Sequence, residues 1–465
     1  MTVRVQELPY RADLAQVFSH LAARPWSVWL DSGGASRWDI LACDPRRTLV
    51  TRGPLTEVRG DADLVSAQDP LALLRRQLGP RQEAHPDLPF CGGALGWFGY
   101  DLGRRFEQLP GGARDRLRLP DMMVGIYDWA LLVDHAAGRA WLSGREGGSP
   151  RARRLLANAA LNPRPPTCGP FAVQGEIRSN LSQEAYLDRF RRIQGYVLRG
   201  DCYQVNLTRR FSVTATGDAW SAYLELRRRN PAPFSAFLNT PGVRILCASP
   251  ERFLRVRQGQ VETCPVKGTI RRLADPEADR SQREALYASP KDRAENLMIV
   301  DLLRNDLGRT CAVGSIRVPR LFRVESFADL HHLVSHVTGR LGPGAHALDL
   351  FRGCFPGGSV TGAPKIRAMQ IIEELEGERR SVYCGSIGYV GFDGGMDTNI
   401  AIRTMVHARD ELSFWAGGGI VADSGYASEA AEVNVKVRAM RDVAEAFRLP
   451  RSPAEEAQFL GTRGR

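Results

Sequence analysis

Apolar residues recur along this chain in recognisable rhythms. From Tyr203 to Val213 they alternate: Tyr203, Val205, Leu207, Phe211 and Val213 share one side, and Gln204, Asn206, Thr208 and Arg210 the other. That period of two predicts a strand with one apolar and one polar face. Just upstream, Tyr186, Phe190, Ile193 and Val197 recur at helical spacing, with Ser182 placed to cap the helix and Gly200 to stop it. Short apolar runs predict further strands: WSVWL, DILAC and MVGIYDWALLVD early in the chain, then FSAFLNT, VRILCAS, CGSIGYVGF, NIAIRTMVH and AGGGIVAD. The segment FLRVRQGQVETCPV reads as a hairpin turning at Gly259–Gln260. Helices are expected over 290–305, over 363–376 with Pro364 in the first turn and Gly377 at the end, and from about Ser428. Strands and helices in long mixed runs, without a βαβ rhythm, indicate an α+β fold with large sheets. The expected division is an N-terminal domain at 1–145, a Pro- and Arg-rich linker with a short helix at 146–175, a catalytic domain at 176–448 and a polar tail at 449–465.

Composition narrows the function classes. A chain of 465 residues is long enough for two or three ordinary domains or one large intertwined one. The net charge of +11 is spread over arginines interleaved with Asp and Glu, a solvated surface and not a nucleic-acid stripe. Nine widely spaced cysteines with no C-x-x-C fit reduced, buried thiols. The N-terminus lacks an apolar signal core and no stretch approaches a membrane span. A cytoplasmic protein that binds neither nucleic acid nor membrane is expected.

Lysine usage sharpens the chemistry. Only four of the 63 basic side chains are lysines: Lys267, Lys291, Lys365 and Lys436. Arginine stays protonated, whereas a desolvated lysine can become a neutral amine and act as nucleophile or base. Glu251 and Lys267 flank the hairpin, so its closure would bring an acid–base group to an amine. Glu429, Glu432 and Lys436 share one face of the last helix, and two carboxylates so placed can clamp a hard cation. The three glycines before that helix, Gly417 to Gly419, are expected to form a backbone nest for an anion. GGSVTGAPK lacks phosphate-loop spacing and reads as a small-residue turn against a substrate ring.

Taken together, the segments LPFCGGALGWFGYDLGRRFE, GDCYQVNLTRRF, ASPERF, PVKGT, KDRAENLMIVDLLRNDLGR, HHLVSHVTG, FPGGSVTGAPKIRAM, MDTNIAIRTMV and GGGIVADSGYASEAAEVNVK resemble the chorismate-utilising enzymes over nearly the whole chain. The resemblance implies the anthranilate synthase component I-like fold, with large antiparallel sheets packed as a sandwich and helices outside. Two positions point to the aminodeoxychorismate branch. Lys267 stands where anthranilate synthases carry alanine, and Gln204 where the water-using relatives carry lysine. Membership of that branch implies Mg²⁺-dependent amination of chorismate at C4. Lys267 would be the covalent nucleophile, Glu251 the acid–base group and His332 a second one. An ordinary lysine titrates near about 10.4, so burial and nearby cations would have to favour its neutral form. The family pattern assigns Mg²⁺ to Glu295, Glu429 and Glu432. It gives substrate contacts to Thr361, Tyr383, Arg403, Gly417, Gly419 and Lys436.

Early segments resemble the family's tryptophan pocket, with Ser32, Ser36, Arg37 and Trp38 meeting Pro233, Phe234 and Ser235 around L-tryptophan. No cysteine lies in a G-x-C-x-G elbow, so ammonia would come from a separate glutamine amidotransferase subunit. Two other readings remain at this level: anthranilate synthase component I, and an inactive tryptophan-binding scaffold for a glutaminase.

Overall fold

The computed structural model describes residues 2–166, 168–326 and 330–450. Among these residues the strands form two antiparallel sheets of twelve. The first runs, edge to edge, through Val3–Leu8, Arg139–Arg145, Trp129–Asp134, Trp38–Ala42, Ser27–Asp31, Phe234–Thr240, Val243–Ser249, Thr404–Ala408, Glu411–Ile420, Gln204–Gly217 and Phe171–Ser179. The second runs through Val266–Arg271, Leu330–Arg340, Gln260–Thr263, Arg252–Arg257, Met396–Asn399, Ser386–Gly391, Gly93–Phe98, Met122–Tyr127, Arg47–Arg52, Leu55–Arg59 and Leu64–Ser66. Each sheet has one further strand off its path, Gly362–Ala363 beside Gln204–Gly217 and Arg317–Ser326 beside Leu330–Arg340.

This arrangement creates two apolar cores. One lies between the sheets, where Ile40, Leu238 and Ile245 of the first meet Leu95, Trp97, Ile126 and Leu254 of the second. The other covers the far face of the first sheet, where Phe18, Trp29, Trp220 and Phe237 cluster with the helix residues Tyr186, Ile371, Val433 and Val437. This is the α+β architecture that the mixed runs predict.

Both sheets take strands from both halves of the chain, so the division at 146–175 does not partition them. Within that segment Pro150–Leu161 is a helix capped by Ser149, and it buries Ala152, Leu156, Ala159 and Ala160. Phe171–Ser179 then enters the first sheet as an edge strand. Of the tail, residues 451–465 lie outside the described residues, while the Leu449 amide donates to the Val173 carbonyl at 2.9 Å.

The apolar runs hide the places where the chain changes sheet. MVGIYDWALLVD is two strands parted at Asp128, with Met122–Tyr127 in the second sheet and Trp129–Asp134 in the first. NIAIRTMVH likewise divides. Met396–Asn399 belongs to the second sheet and Thr404–Ala408 to the first, with Arg403 at φ 51° in the corner between them. Between Ser249 and Arg252 the chain crosses in the opposite direction through Pro250–Glu251. These corners carry charged side chains, and two of them build the site below.

Local signals elsewhere match the sequence. Ser182 caps Gln183–Leu198 by accepting from the Ala185 amide, and Gly377 ends Lys365–Glu376 in the left-handed region. Pro364, expected inside the first turn, is the cap residue with ψ 142°. The hairpin closes one residue earlier than expected, at Gln258–Gly259, with φ 50° and 77°. Two consecutive positive φ values are the signature of a two-residue hairpin turn.

Candidate active site

Four sheet-crossing or strand-end segments and two helices converge on a cavity of ≈ 870 Å³. Lys267 enters from the strand Val266–Arg271, which pairs with Leu330–Arg340, and His332 from that neighbour opposite Thr269. Glu251 comes from the corner after Ser249, and Arg403 from the corner before Thr404. The helix Pro290–Gly308, capped by Ser289, supplies Glu295, and the helix Tyr426–Ala446 supplies Glu429, Glu432 and Lys436. Tyr383 lies flat on Trp415, with ring centroids 5.8 Å apart and planes within 6°. Residues as distant in sequence as Glu251 and Lys436 thus meet only because the two sheets do.

The charged groups here pull each other away from their ordinary states. Burial pushes the Glu251 carboxyl up to about 7, against the pull of a Ser359 hydrogen bond, the Lys267 charge and the Val266 amide. A carboxyl at that value can both give and take a proton near neutrality. His332 is driven down to about 4 by burial and then by the Arg403 charge, so it is a neutral imidazole there, with Nδ1 2.8 Å from the Thr269 hydroxyl. Glu295 is raised by burial, with the Lys267 and Lys291 charges opposing and Glu429 and Glu432 adding to the rise. Burial would raise Glu432 too, but Lys436, ion-paired at 2.6 Å, brings it below the usual range with help from Lys267 and Lys291. Lys436 is lowered by burial, and its Nζ also donates to the Gly417 carbonyl at 2.8 Å. Burial raises the Tyr383 hydroxyl and lowers the Arg403 guanidinium from their usual ranges.

The three glycines hold an extended conformation with no left-handed residue, so the expected nest is absent. They sit in the ladder with Gln204–Gly217, Thr208 opposite Gly417 and Asn206 opposite Gly419. Each meets a different neighbour, and only that of Gly417 is fixed backbone. A Cβ at Gly417 would meet the Leu207 carbonyl at 2.4 Å, at Gly418 the Glu429 Oε2 at 2.6 Å, and at Gly419 the Gln204 amide at 2.8 Å. The pairing with Thr404–Ala408 ends at Phe414, which leaves the edge of residues 415–420 facing the helix and the cavity. An open strand edge, not a nest, offers the backbone groups.

Thr361 is the one expected substrate residue that does not line the cavity. It is fully buried, and its hydroxyl donates to the Gly357 carbonyl at 3.0 Å. Ser359 and Val360 line the wall in its place. Asn206, Ser359 and Trp415 were not singled out by sequence reasoning. The GGS turn was a signal for Ser359, and the polar side of the alternating strand for Asn206. Lys291 was singled out by lysine scarcity alone. Its Nζ stands 3.9 Å from Glu295 and 3.8 Å from Glu429. Lys365 does not join the site; it pairs with the buried Asp306 at 2.7 Å and is structural.

Glu295, Glu429 and Glu432 offer the hard oxygen donors that Mg²⁺ prefers, and Lys291 already places a cationic group between two of them. Their spacing is looser than a direct-contact trio. Among the described residues the only three ligand-type side chains with all ligand atoms within 4.8 Å lie elsewhere.

A second cavity of ≈ 290 Å³ lies between the sheets nearer the amino-terminal strands. Ser36, Arg37, Trp38, Pro233, Phe234 and Ser235 line it as expected. Ser32 does not: it is buried, its amide donating to Asp39 at 2.6 Å and its hydroxyl accepting from the Gly34 amide. Asp31, Arg252, Tyr389, Asp397 and Asn399 are among the other residues of the wall. No side chain is shared with the larger cavity.

The sequence pattern of the chorismate binding enzymes matches residues 27–442. The chain belongs to the chorismate binding enzyme family. Aminodeoxychorismate synthase component 1 of Klebsiella aerogenes is 52% identical over 439 residues, spanning 92% of this chain and 96% of that one. The same-named protein of Escherichia coli K12 is 48% identical over 440 residues, with the same shares covered. Among solved structures, anthranilate synthase component I from Streptococcus pneumoniae TIGR4 superposes with a TM-score of 0.77 at 32% identity, over 87% of this chain and 92% of that one. The chorismate binding enzyme fold is thus the anthranilate synthase component I-like one, and the large cavity lies wholly within the matched residues.

Proposed function

We propose that this protein aminates chorismate at C4 with ammonia, giving 4-amino-4-deoxychorismate and water. One observation carries the reading. Lys267, a Glu251 held near neutrality and three further glutamates open into a single cavity, in a chain about half identical to aminodeoxychorismate synthase component 1 proteins. Lysine at 267 supports this branch over anthranilate formation.

Lys267 Nζ bonds to ring C2, the ring double bonds shift toward C4, and the C4–O bond breaks. Glu251 in its acid form passes its proton to the departing oxygen, which leaves as water. Ammonia then bonds to C4, the double bonds shift back, and the C2–N bond to Lys267 breaks. The Glu251 carboxylate takes the proton that the new ammonium group sheds, and the cycle closes. Arg403, Tyr383 and the strand edge around Gly417 and Gly419 receive the substrate carboxylate remote from the glutamates. His332, neutral and tied to Thr269, orients rather than protonates. Glu295, Glu429 and Glu432 would hold Mg²⁺, which when bound supplies positive charge for the ring carboxylate. Ammonia comes from a separate glutamine amidotransferase subunit, the reaction takes place in the cytoplasm, and the smaller cavity takes L-tryptophan.

The test is incubation with chorismate, Mg²⁺ and an ammonium salt, with products resolved by chromatography. Aminodeoxychorismate is expected; anthranilate fluorescence, or no turnover with the fold intact, would overturn the proposal. With ammonia withheld, intact-protein mass spectrometry should find a chorismate-minus-water adduct that is lost in Lys267→Arg.

A further inference from the structure

Glu262, Cys264 and His336 present one ligand atom each within 4.8 Å of one another, outside both cavities. The arrangement stems from strand geometry. Glu262 and Cys264 are two residues apart, so they face the same side of the strand beginning at Gln260. Thr263 pairs with Val337, which brings His336 across from Cys264 on the neighbouring strand. His336 Nδ1 lies 3.5 Å from Cys264 Sγ and 3.4 Å from Glu262 Oε1.

We propose that Glu262, Cys264 and His336 form a binding site for a thiophilic divalent cation of the Zn²⁺ class. Tetrahedral zinc, with Zn–S about 2.3 Å and Zn–N and Zn–O about 2.0–2.2 Å, needs ligand edges of about 3.5 Å for S···N and about 3.4 Å for N···O. The observed edges match both. On the far side of the ring, His336 Nε2 lies 3.0 Å from Glu325 Oε1. A carboxylate on the second nitrogen is the usual support of a metal-bound histidine, because it holds the N–H outward and aims the other lone pair at the metal. Arg255 and Arg252 engage only the other oxygen of Glu262, at 3.1 and 3.6 Å, leaving Oε1 toward the ring. Arg252 is itself neutralised by Asp397 at 3.0 Å. Thiolate, carboxylate and neutral imidazole together cancel the ion's two charges, and the fourth position stays open to water. Binding releases the Cys264 thiol proton and any proton on His336 Nδ1. The donor set separates this site from the all-oxygen glutamates of the large cavity.

Binding would pin the two strands next to Lys267, which lies three residues after Cys264. Co²⁺ titration of the full-length protein is the probe, because only sulfur ligation gives a thiolate-to-cobalt charge-transfer band. One equivalent is expected to develop the band and Zn²⁺ to bleach it. Cys264→Ser should abolish the band, Glu325→Gln should weaken binding about 10- to 100-fold, and Glu429→Gln should leave it intact. No band at saturating Co²⁺, or a band that persists in Cys264→Ser, would overturn the site. A band lost in Glu429→Gln but kept in Glu325→Gln would do the same.

Discussion

The two cavities lie in the same fold and differ in how far their charges are paired off. In the smaller one, most charged wall groups are closed into pairs: Arg252 grips Asp397 through two nitrogens at 3.0 and 3.2 Å, and Arg37 grips Asp134 at 2.6 Å. Burial raises the wall carboxyls Asp31, to about 6, and Asp393, and Asp31 is held by Arg227 at 2.7 Å. In the larger one, Glu251, Glu295, His332 and Lys436 are all moved from their ordinary ranges, and burial is the first cause each time. Paired charges give a rigid wall that recognises a ligand at little electrostatic cost. Displaced titrations near neutrality are what proton transfer needs. On the proposed function, chemistry falls to the larger cavity and ligand retention to the smaller.

The hardest blow to that contrast is Lys267→Arg. It keeps the charge but removes the amine that can lose its proton, so amination at C4 should fall on the order of 10⁴-fold or more. The measurement is kcat with saturating ammonia; near-normal turnover would remove the nucleophile from the larger cavity.

Glu251→Gln should come next, with a loss of roughly 10² to 10⁴ in kcat. The same variant tests the electrostatics without substrate. Burial raises this carboxyl from 4.5 to about 7 in the folded state, so the folded protein holds the proton more tightly. Stability therefore falls as pH rises from 4.5 to 7, by at most about 3 kcal/mol at 1.36 kcal/mol per unit. Glutamine should then gain on the parent in melting temperature at pH 8 but not at pH 4.5. An equal offset at both values would mean that Glu251 is not desolvated, and the cavity would lose its proton carrier.

Much of this contrast was legible before the fold was known, but unevenly. Motif residues such as Glu429, Glu432 and Lys436 share a helix face, and a period of 3.6 reveals that directly. The four lysines directed attention well to Lys267, Lys291 and Lys436. They misdirected it to Lys365, because a lysine buried on Asp306 looks the same in sequence as one facing a substrate. The corners were the blind spot. Asp128 and Arg403 interrupt runs that read as continuous strands, since local hydrophobicity does not register which sheet a segment joins. The glycine triplet was placed on a strand but read as an anion nest, whereas it lies extended with Leu207, Glu429 and Gln204 close against it, contacts that only tertiary structure supplies. Thr361 failed for a related reason: a small polar residue in a tight turn satisfies its own backbone before it can face a ligand.

Glu432→Gln is a smaller perturbation. Glu432 lies at the rim, its side chain 47% exposed and the rest covered, and it is ion-paired to Lys436. Losing its charge should raise the Mg²⁺ concentration for half-maximal activity about ten-fold while saturated kcat changes less, because Glu295 and Glu429 remain. An unchanged Mg²⁺ titration would place the cation elsewhere.

The smallest effect on turnover belongs to the second cavity, and it tests the contrast from the other side. Phe234 lines that cavity and carries the Arg252 guanidinium over its ring at 4.8 Å. Truncation to alanine removes apolar wall area, and a lost aromatic contact is worth roughly 1.5–3 kcal/mol. L-tryptophan affinity, read by calorimetry, should therefore drop about 10- to 100-fold in Phe234→Ala. Turnover with ammonia should stay within about two-fold, since no wall residue is shared with the Lys267 cavity. If the parent binds no tryptophan, the smaller cavity holds something else. If instead Phe234→Ala lowers kcat as strongly as Glu251→Gln does, the two cavities are one energetic unit, because the strand that presents Phe234 pairs with the one ending in Ser249, two residues from Glu251.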